Sequence, residues 1–387
     1  MNGTRPTVAG PWRLLLPAVV LSLTLPSGGT AMAAPAGTFP EFLPMSGAVR
    51  GVEADKVGNV YVSVGQGSGA SEHILVWKFS PDGGGPSFVA DLGQGTIGGL
   101  ASSADGDLYV AMAAGLDRGV WRIDRYGEVE LLPGSNQIFF ANGLAFDARG
   151  TLYVTESVSL DGHAPPSGAG GVWRIPRGGQ AELCLRDDLL RGTGALGQPV
   201  WLGANGIDYY HGHLYVTNTE KGTLVRIPVL PDGSLGSPEL WATLQDVPES
   251  PLYGAPLPVA GDGVVLDVQG NAYVAVLTRS AVVRIDGRDL SQETIAAFQA
   301  VAHGSIPHAP LDFPASLHFG TVRGERPNLF VSSLGMGSVL VPALPWAGPS
   351  LVKVDAGVPG GPRRPERDDG ARYFQRDDTG APGGPFR

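Results

Sequence analysis

One short pattern recurs six times along the 387-residue chain. It is an aliphatic residue, an aromatic ring and a valine: VYV at 60–62, LYV at 108–110, 152–154 and 214–216, AYV at 272–274, and LFV at 329–331. The central rings Tyr61, Tyr109, Tyr153, Tyr215, Tyr273 and Phe330 lie 48, 44, 62, 58 and 57 residues apart. Spacing of this kind marks stacked copies of one supersecondary unit, because a unit so small cannot bury its apolar faces alone. A Gly, a short apolar run and a Gly- or Asp-rich turn precede each triplet. A second strand-like run follows, such as "GVWRIDR", "GVWRIPR", "TLVRIPV" and "AVVRIDG", and then a third, such as "AELCLRD" or "PELWATL". In the last copy "SVLVPAL" and "SLVKVDA" take these two places.

Four short runs per unit, alternating in polarity and separated by turn residues, predict an all-β fold: a six-bladed β-propeller with four antiparallel strands per blade. The 58 Gly and 33 Pro fall between strand-like runs and serve as turns. The segment "SQETIAAFQAVAHG" has some helical character, but its place in the repeat assigns it to a strand.

The two ends do not share this pattern. Residues 1–33 have a basic front (Arg5, Arg13), an apolar core at 14–25 and an A-x-A site at Ala31, Met32 and Ala33, the layout of a secretory signal. The apolar core is too short to span a bilayer. The expected mature protein is secreted, extracellular or periplasmic, with no membrane association after cleavage; an uncleaved anchor is the alternative. Residues 34–357 form the propeller. Residues 358–387, rich in Gly, Pro, Arg and Asp, are expected to be a disordered tail. The net charge of −10 becomes −12 without the signal. That balance argues against a nucleic-acid partner and leaves a small molecule as the expected ligand of a monomer. Cys184 is the sole cysteine, expected as an inert buried thiol.

In a propeller the first strand of each blade lines a central tunnel, so the residue before the Gly at its start faces one tunnel mouth. Those residues are Arg50, Gly98, Asn142, Asn205, Asp262 and, allowing for an insertion in the last copy, Ala315. Three positions deeper lie Glu53, Ala101, Ala145, Asp208, Val265 and His318. Convergent amide and carboxylate oxygens suit a hard cation such as calcium.

The blade number, the "ANG" of the third and fourth copies and the "GDG" of the fifth resemble the SMP-30/gluconolactonase/luciferin-regenerating superfamily over most of residues 40–356. The resemblance implies a divalent cation, usually calcium, at the tunnel mouth. Asn142, Asn205 and Asp262 would be its ligands, and metal-assisted lactone or ester hydrolysis the activity, with Asp262 as ligand and nucleophile or base. The family's fourth ligand, a Glu in "EGP", is absent: this chain reads "VRGVEAD", with Arg50 at the place. Either Glu53 substitutes as a ligand, or the Arg50 guanidinium occupies the cation's place and pairs with Asp262. The alternative functions are a non-catalytic secreted propeller that binds a small molecule, glycan or protein, and a metal-independent enzyme similar to strictosidine synthase. Arg50 would then bind an anionic ligand.

At the tunnel depth, Glu53, Asp208 and His318 form a polar plug, or His318 helps hold a second cation. His303 and His308, flanking "GSIP", are candidates for the same mouth as acid, base or substrate contacts. His163 sits in the Gly/Pro-rich "SLDGHAPPSGAGG" loop as a solvated residue or part of a lid.

Overall fold

The computed structural model describes residues 42–361, apart from 46, 67–71, 82–84, 114, 160–169, 197–200, 246, 248, 250–256, 299–310 and 337–348. Twenty-four strands form six four-stranded antiparallel sheets arranged as blades. Blade one holds β2 (Ala48–Ala54), β3 (Val60–Gln66), β4 (His73–Phe79) and β5 (Ser87–Gln94). Blade two holds β6 (Thr96–Ser102), β7 (Leu108–Ala113), β8 (Gly119–Ile123) and β9 (Val129–Leu131). Blade three runs through β10 (Ala141–Phe146), β11 (Leu152–Glu156), β12 (Gly171–Ile175) and β13 (Glu182–Arg186). Blade four runs through β14 (Ala204–Tyr210), β15 (His213–Asn218), β16 (Thr223–Pro228) and β17 (Glu239–Thr243). Blade five has β18 (Gly261–Leu266), β19 (Ala272–Val276), β20 (Ala281–Ile285) and β21 (Gln292–Ala297), so "SQETIAAF" is a strand as expected.

Blade six departs from the expected order. Its inner strands are β22 (Pro314–Phe319) and β23 (Asn328–Ser333), and "SLVKVD" is its third strand, β24 (Ser350–Asp355), not its fourth. The fourth strand comes from the other end of the chain: β1 (Phe42–Pro44) pairs with β24 through Phe42↔Val352, Leu43↔Leu351 and Pro44↔Ser350. "SVLVPAL" lies outside the described residues. The physical reason is ring closure. A blade built from both chain ends ties the first blade to the last, which a blade of consecutive strands cannot do.

The core lies between blades. Leu224 and Ala242 of blade four pack on Val264, Leu266, Val274 and Val283 of blade five, all buried. The same arrangement joins blades one and two through Ile74, Val76, Leu100 and Val110. Each fully buried Val or Leu contributes roughly 1.5–3 kcal/mol, so the repeated aliphatic pattern is what holds adjacent sheets face to face.

In blades one and five the turn before the triplet gives the aromatic ring a partner. In blade five, Asp267 accepts the N–H groups of Gln269 and Asn271 on Oδ1, and the Asn271 amide and Tyr273 hydroxyl on Oδ2. Blade one repeats this with Asp55, Val57, Asn59 and Tyr61. Gly58 and Gly270 hold these turns at φ of 91° and 84°, which a side chain rarely adopts. Past β24, residues 358–361 continue the packed chain: Gly361 N–H donates to the Leu266 carbonyl, and Val268 N–H to that of Pro359.

Candidate functional site at the tunnel mouth

Each inner strand carries an irregularity in its pairing, and the ring residues sit in it. The register shifts fall between Val49 and Gly51, Ile97 and Leu100, Ala141 and Leu144, Ala204 and Ile207, Gly261 and Val264, and Pro314 and Ser316. Arg50 and Ala315 alone fall in the irregularities of blades one and six; in blades two to five Gly98, Asn142, Asn205 and Asp262 fall there together with the glycine that follows each. A bulge releases a residue from the ladder and re-aims it, which frees these six positions from the repeat.

In blades one to five a glycine follows the ring residue, and it allows neighbouring blades to meet; in blade six Ser316 takes that place. A Cβ on Gly143 would lie 2.5 Å from the Asn205 carbonyl oxygen, one on Gly206 2.4 Å from that of Asp262, and one on Gly263 2.7 Å from that of Ala315. Hydroxyls on the second strands then pin the ring. Thr155 Oγ1 accepts the Gly143 N–H at 2.8 Å and donates to the Asn205 carbonyl. Thr217 donates to the Asp262 carbonyl at 2.5 Å, and Ser332 to the Arg50 carbonyl at 3.0 Å. Thus the backbone of three ring residues is tied to the preceding blade.

The side chains are also held. Asn142 Nδ2 donates to Ser157 Oγ (3.0 Å), and Asn205 Nδ2 to Thr219 Oγ1 (2.9 Å). The Asn205 amide also acts on the Asp262 carboxyl, favouring its charged form. Burial raises that carboxyl from 3.8 to about 7, against the opposing pull of the Arg50 charge and the Asn205 amide. Glu72, just before β4, is likewise raised by burial and drawn down by Arg50. The Arg50 charge therefore acts on two carboxyls, Asp262 of blade five and Glu72 of its own blade, without an ion pair to either within 4.0 Å among the described residues. Arg50 Nε and Asn205 Oδ1 are buried and have no hydrogen-bond partner among the described residues.

The deeper set divides. Glu53 and His318, both about 1% exposed, meet at 2.8 Å, and Ser102 Oγ donates to the same Glu53 oxygen at 2.8 Å. Asp208 is not part of that pair: its carboxylate accepts the N–H groups of Leu266 and Tyr209, joining blade four to blade five. A cavity of about 630 Å³ begins directly below the ring, at Gly143, Gly206 and Gly263, and passes Glu53 and His318. Its lining extends to Asp105, Asp107 and Arg122 of blade two and Asp147 and Arg177 of blade three. Charged groups there are matched to one another, Arg122 with Asp107 and Glu130 and Arg177 with Asp105, whereas Arg50 Nε and Asn205 Oδ1 at the mouth are not.

His303, His308 and His163 lie outside the described residues. Cys184 is partly buried, and burial pushes its thiol up to about 11, which keeps it protonated and unreactive. The sequence reading missed Glu72, Ser157 and Thr219. Glu72 carries no repeat signal. Ser157 and Thr219 do: each stands four residues after its Tyr, in "YVTES" and "YVTNT".

The residues present do not fit the cation that the resemblance implies. Calcium takes six to eight oxygens. The ring's side chains offer one carboxylate and two amides, since Gly98 and Ala315 have no side-chain donor atoms and Arg50 places a positive charge where a ligand should stand. Glu53 cannot substitute as expected, because its carboxylate is committed to His318 and Ser102 below the ring. Among the described residues no three His, Cys, Asp or Glu side chains converge as ligands.

Fold and site together define a six-bladed β-propeller with an Arg, two amides and a carboxyl at its tunnel mouth. Solved structures share this fold. A luciferin-regenerating enzyme is 15% identical and superposes with a TM-score of 0.58, the match covering 83% of this chain and 96% of that one. Regucalcin, a calcium-binding protein of Agrobacterium tumefaciens, is 17% identical with a TM-score of 0.55, covering 86% and 98%. A putative gluconolactonase is 14% identical with a TM-score of 0.53, covering 84% and 96%. At such identities the likeness is one of fold. No family model and no curated protein matches the sequence.

Proposed function

We propose that the tunnel mouth is a small-molecule site at which an ester or lactone is hydrolysed. One observation carries this reading: a donor, Arg50 Nε–H, and an acceptor, Asn205 Oδ1, are buried without partners beside the Asp262 carboxyl. Unpaired buried polar groups are costly, and a ligand with a carbonyl oxygen and a hydroxyl would satisfy both. Asn142 and Asn205 hold the ligand. Asp262, as carboxylate, takes a proton from the attacking water and returns it to the leaving alkoxide; the ester C–O bond breaks, and an acid and an alcohol result. The gluconolactonase-type fold supports the substrate class.

The test is a panel of esters and lactones assayed with the native protein and with Asp262→Asn. Turnover should fall by at least about 100-fold in the variant, the usual worth of a general base. Turnover that survives the substitution would remove Asp262 from the reaction. Ligand capture without turnover is the second reading, favoured by Arg50, whose charge partly neutralises the Asp262 carboxylate. It predicts saturable binding and no product in the same panel.

Export is also part of the proposal, supported by the basic front, apolar core and A-x-A site of residues 1–33. The N-terminal mass of protein recovered outside the cytoplasm should begin at Ala34. No helix among the described residues is long and apolar enough to cross a membrane. Sedimentation should give the monomer mass.

A further inference from the structure

We infer that Arg50 is the resident cation of the tunnel mouth, so that the site works without a divalent ion and Arg50 Nε supplies the contact to the ligand's carbonyl oxygen. The inference rests on the mouth being the ligand site, and it concerns what provides positive charge there.

Three observations carry it. Arg50 occupies the bulge of blade one, equivalent to the bulges that present Asn142, Asn205 and Asp262. Its carbonyl is fixed by Ser332 of blade six, so the residue is held in the ring. Its charge acts on both Asp262 and Glu72, while its Nε remains buried and free of any partner among the described residues.

A guanidinium whose charge reaches two carboxyls does part of what a bound ion would do for them: it offsets their negative charge in a poorly solvated place. It also excludes such an ion. A divalent cation entering the ring would meet Arg50 at a few ångström, with one carboxylate and two amides to offset the repulsion and its own dehydration. The unpaired Nε–H keeps a donor in reserve. Aimed at a carbonyl oxygen, a fixed donor on a charged group stabilises the negative charge that grows there as water attacks. A Lys at this position would carry the charge without the same fixed planar fork.

The experiment uses the full-length mature protein, native and Arg50→Glu, with bound metal measured by mass spectrometry and thermal unfolding followed in EDTA and in about 5 mM calcium, a level that saturates weak extracellular sites. The native protein should hold no stoichiometric metal, and its Tm should be the same in both buffers. Arg50→Glu places a second carboxylate beside Asp262 and removes the opposing charge. It should melt lower in EDTA and gain about 2 °C or more in calcium. Arg50→Glu combined with Asp262→Asn should lose that gain, which locates the ion in the ring. One metal ion per native chain, or a native Tm that falls in EDTA, overturns the inference. So does a folded Arg50→Glu protein that ignores calcium. If Arg50→Glu does not fold, the native metal content and Tm decide alone. None of these readouts depends on turnover, so absence of hydrolysis in any substrate panel leaves this result standing, and a metal-loaded native protein leaves the small-molecule site standing.

Discussion

Replacing Thr155 by Val isolates the hydroxyls that pin the ring. The two side chains have nearly the same shape, so packing in blade three is retained and the change falls on hydrogen bonding. Thr155 Oγ1 accepts from Gly143 N–H and donates to the Asn205 carbonyl of the next blade, and the residue is fully buried. Both backbone groups sit at pairing irregularities, where the sheet ladder offers no substitute. Valine therefore strands one donor and one acceptor. At about 1–3 kcal/mol for each buried group left unpaired, and allowing for some relaxation, the expected loss is about 2–4 kcal/mol. Urea unfolding followed by tryptophan fluorescence would read it as a lower midpoint at unchanged slope. Ser234→Ala, which removes an exposed hydroxyl bonded to Asp232, is the control and should stay within about 0.5 kcal/mol of the native protein. If Thr155→Val unfolds at the native midpoint, the inter-blade hydroxyl contributes nothing to stability and the account of how the ring is held fails.

Three further outcomes follow from the geometry. Because burial raises the Asp262 carboxyl from 3.8 to about 7, the folded protein binds a proton there that the unfolded chain releases between those values. Stability should therefore fall as pH rises across that window, and Asp262→Asn should flatten the slope in melts run at stepped pH. Gly263→Ala would place a Cβ 2.7 Å from the Ala315 carbonyl oxygen; it should cost about 1–3 kcal/mol in urea and weaken ligand binding, whereas Gly85→Ala, with nothing within 4 Å, should do neither. Removing the chain up to Pro44 deletes β1 and leaves β24 as an open edge, so the truncated protein should melt several degrees lower and aggregate more readily on light scattering.

Most of the fold was legible because it is written six times. Tyr61 and Tyr273 sit where an Asp turn needs a hydroxyl partner, and the aliphatic residues around them face the next blade, so local chemistry and global packing call for the same pattern. Closure was not legible. Phe42, Leu43 and Pro44 bear no mark of belonging to "SLVKVD", and three residues of extended chain look like any linker. Most ring residues could be named from the repeat, because four of the six stand the same number of residues before the aromatic ring. Their partners were harder to see. Glu72 reaches Arg50 from outside the repeat, and Glu53 is committed to His318 by a contact between blades that are first and last in the chain. Spacing reports which residues share a depth, not which of them touch.

The strand that closes blade six is synthesised first, and its partner nearly last. Phe42 waits for Val352, roughly 310 positions away, whereas each hairpin within a blade closes over about ten. By the logarithmic growth of loop entropy, the clasp costs about 3 kcal/mol more to form than a local turn. A chain emerging from its N-terminus can build blades as they appear, yet it must keep that first strand unpaired until the final one arrives. During this interval the strand can be captured by another copy's β24, giving strand-exchanged pairs at high concentration. A circular permutant that joins β24 to β1 through a short turn and opens the chain before β2 would convert the slowest contact into a local one, with the same ring at the end.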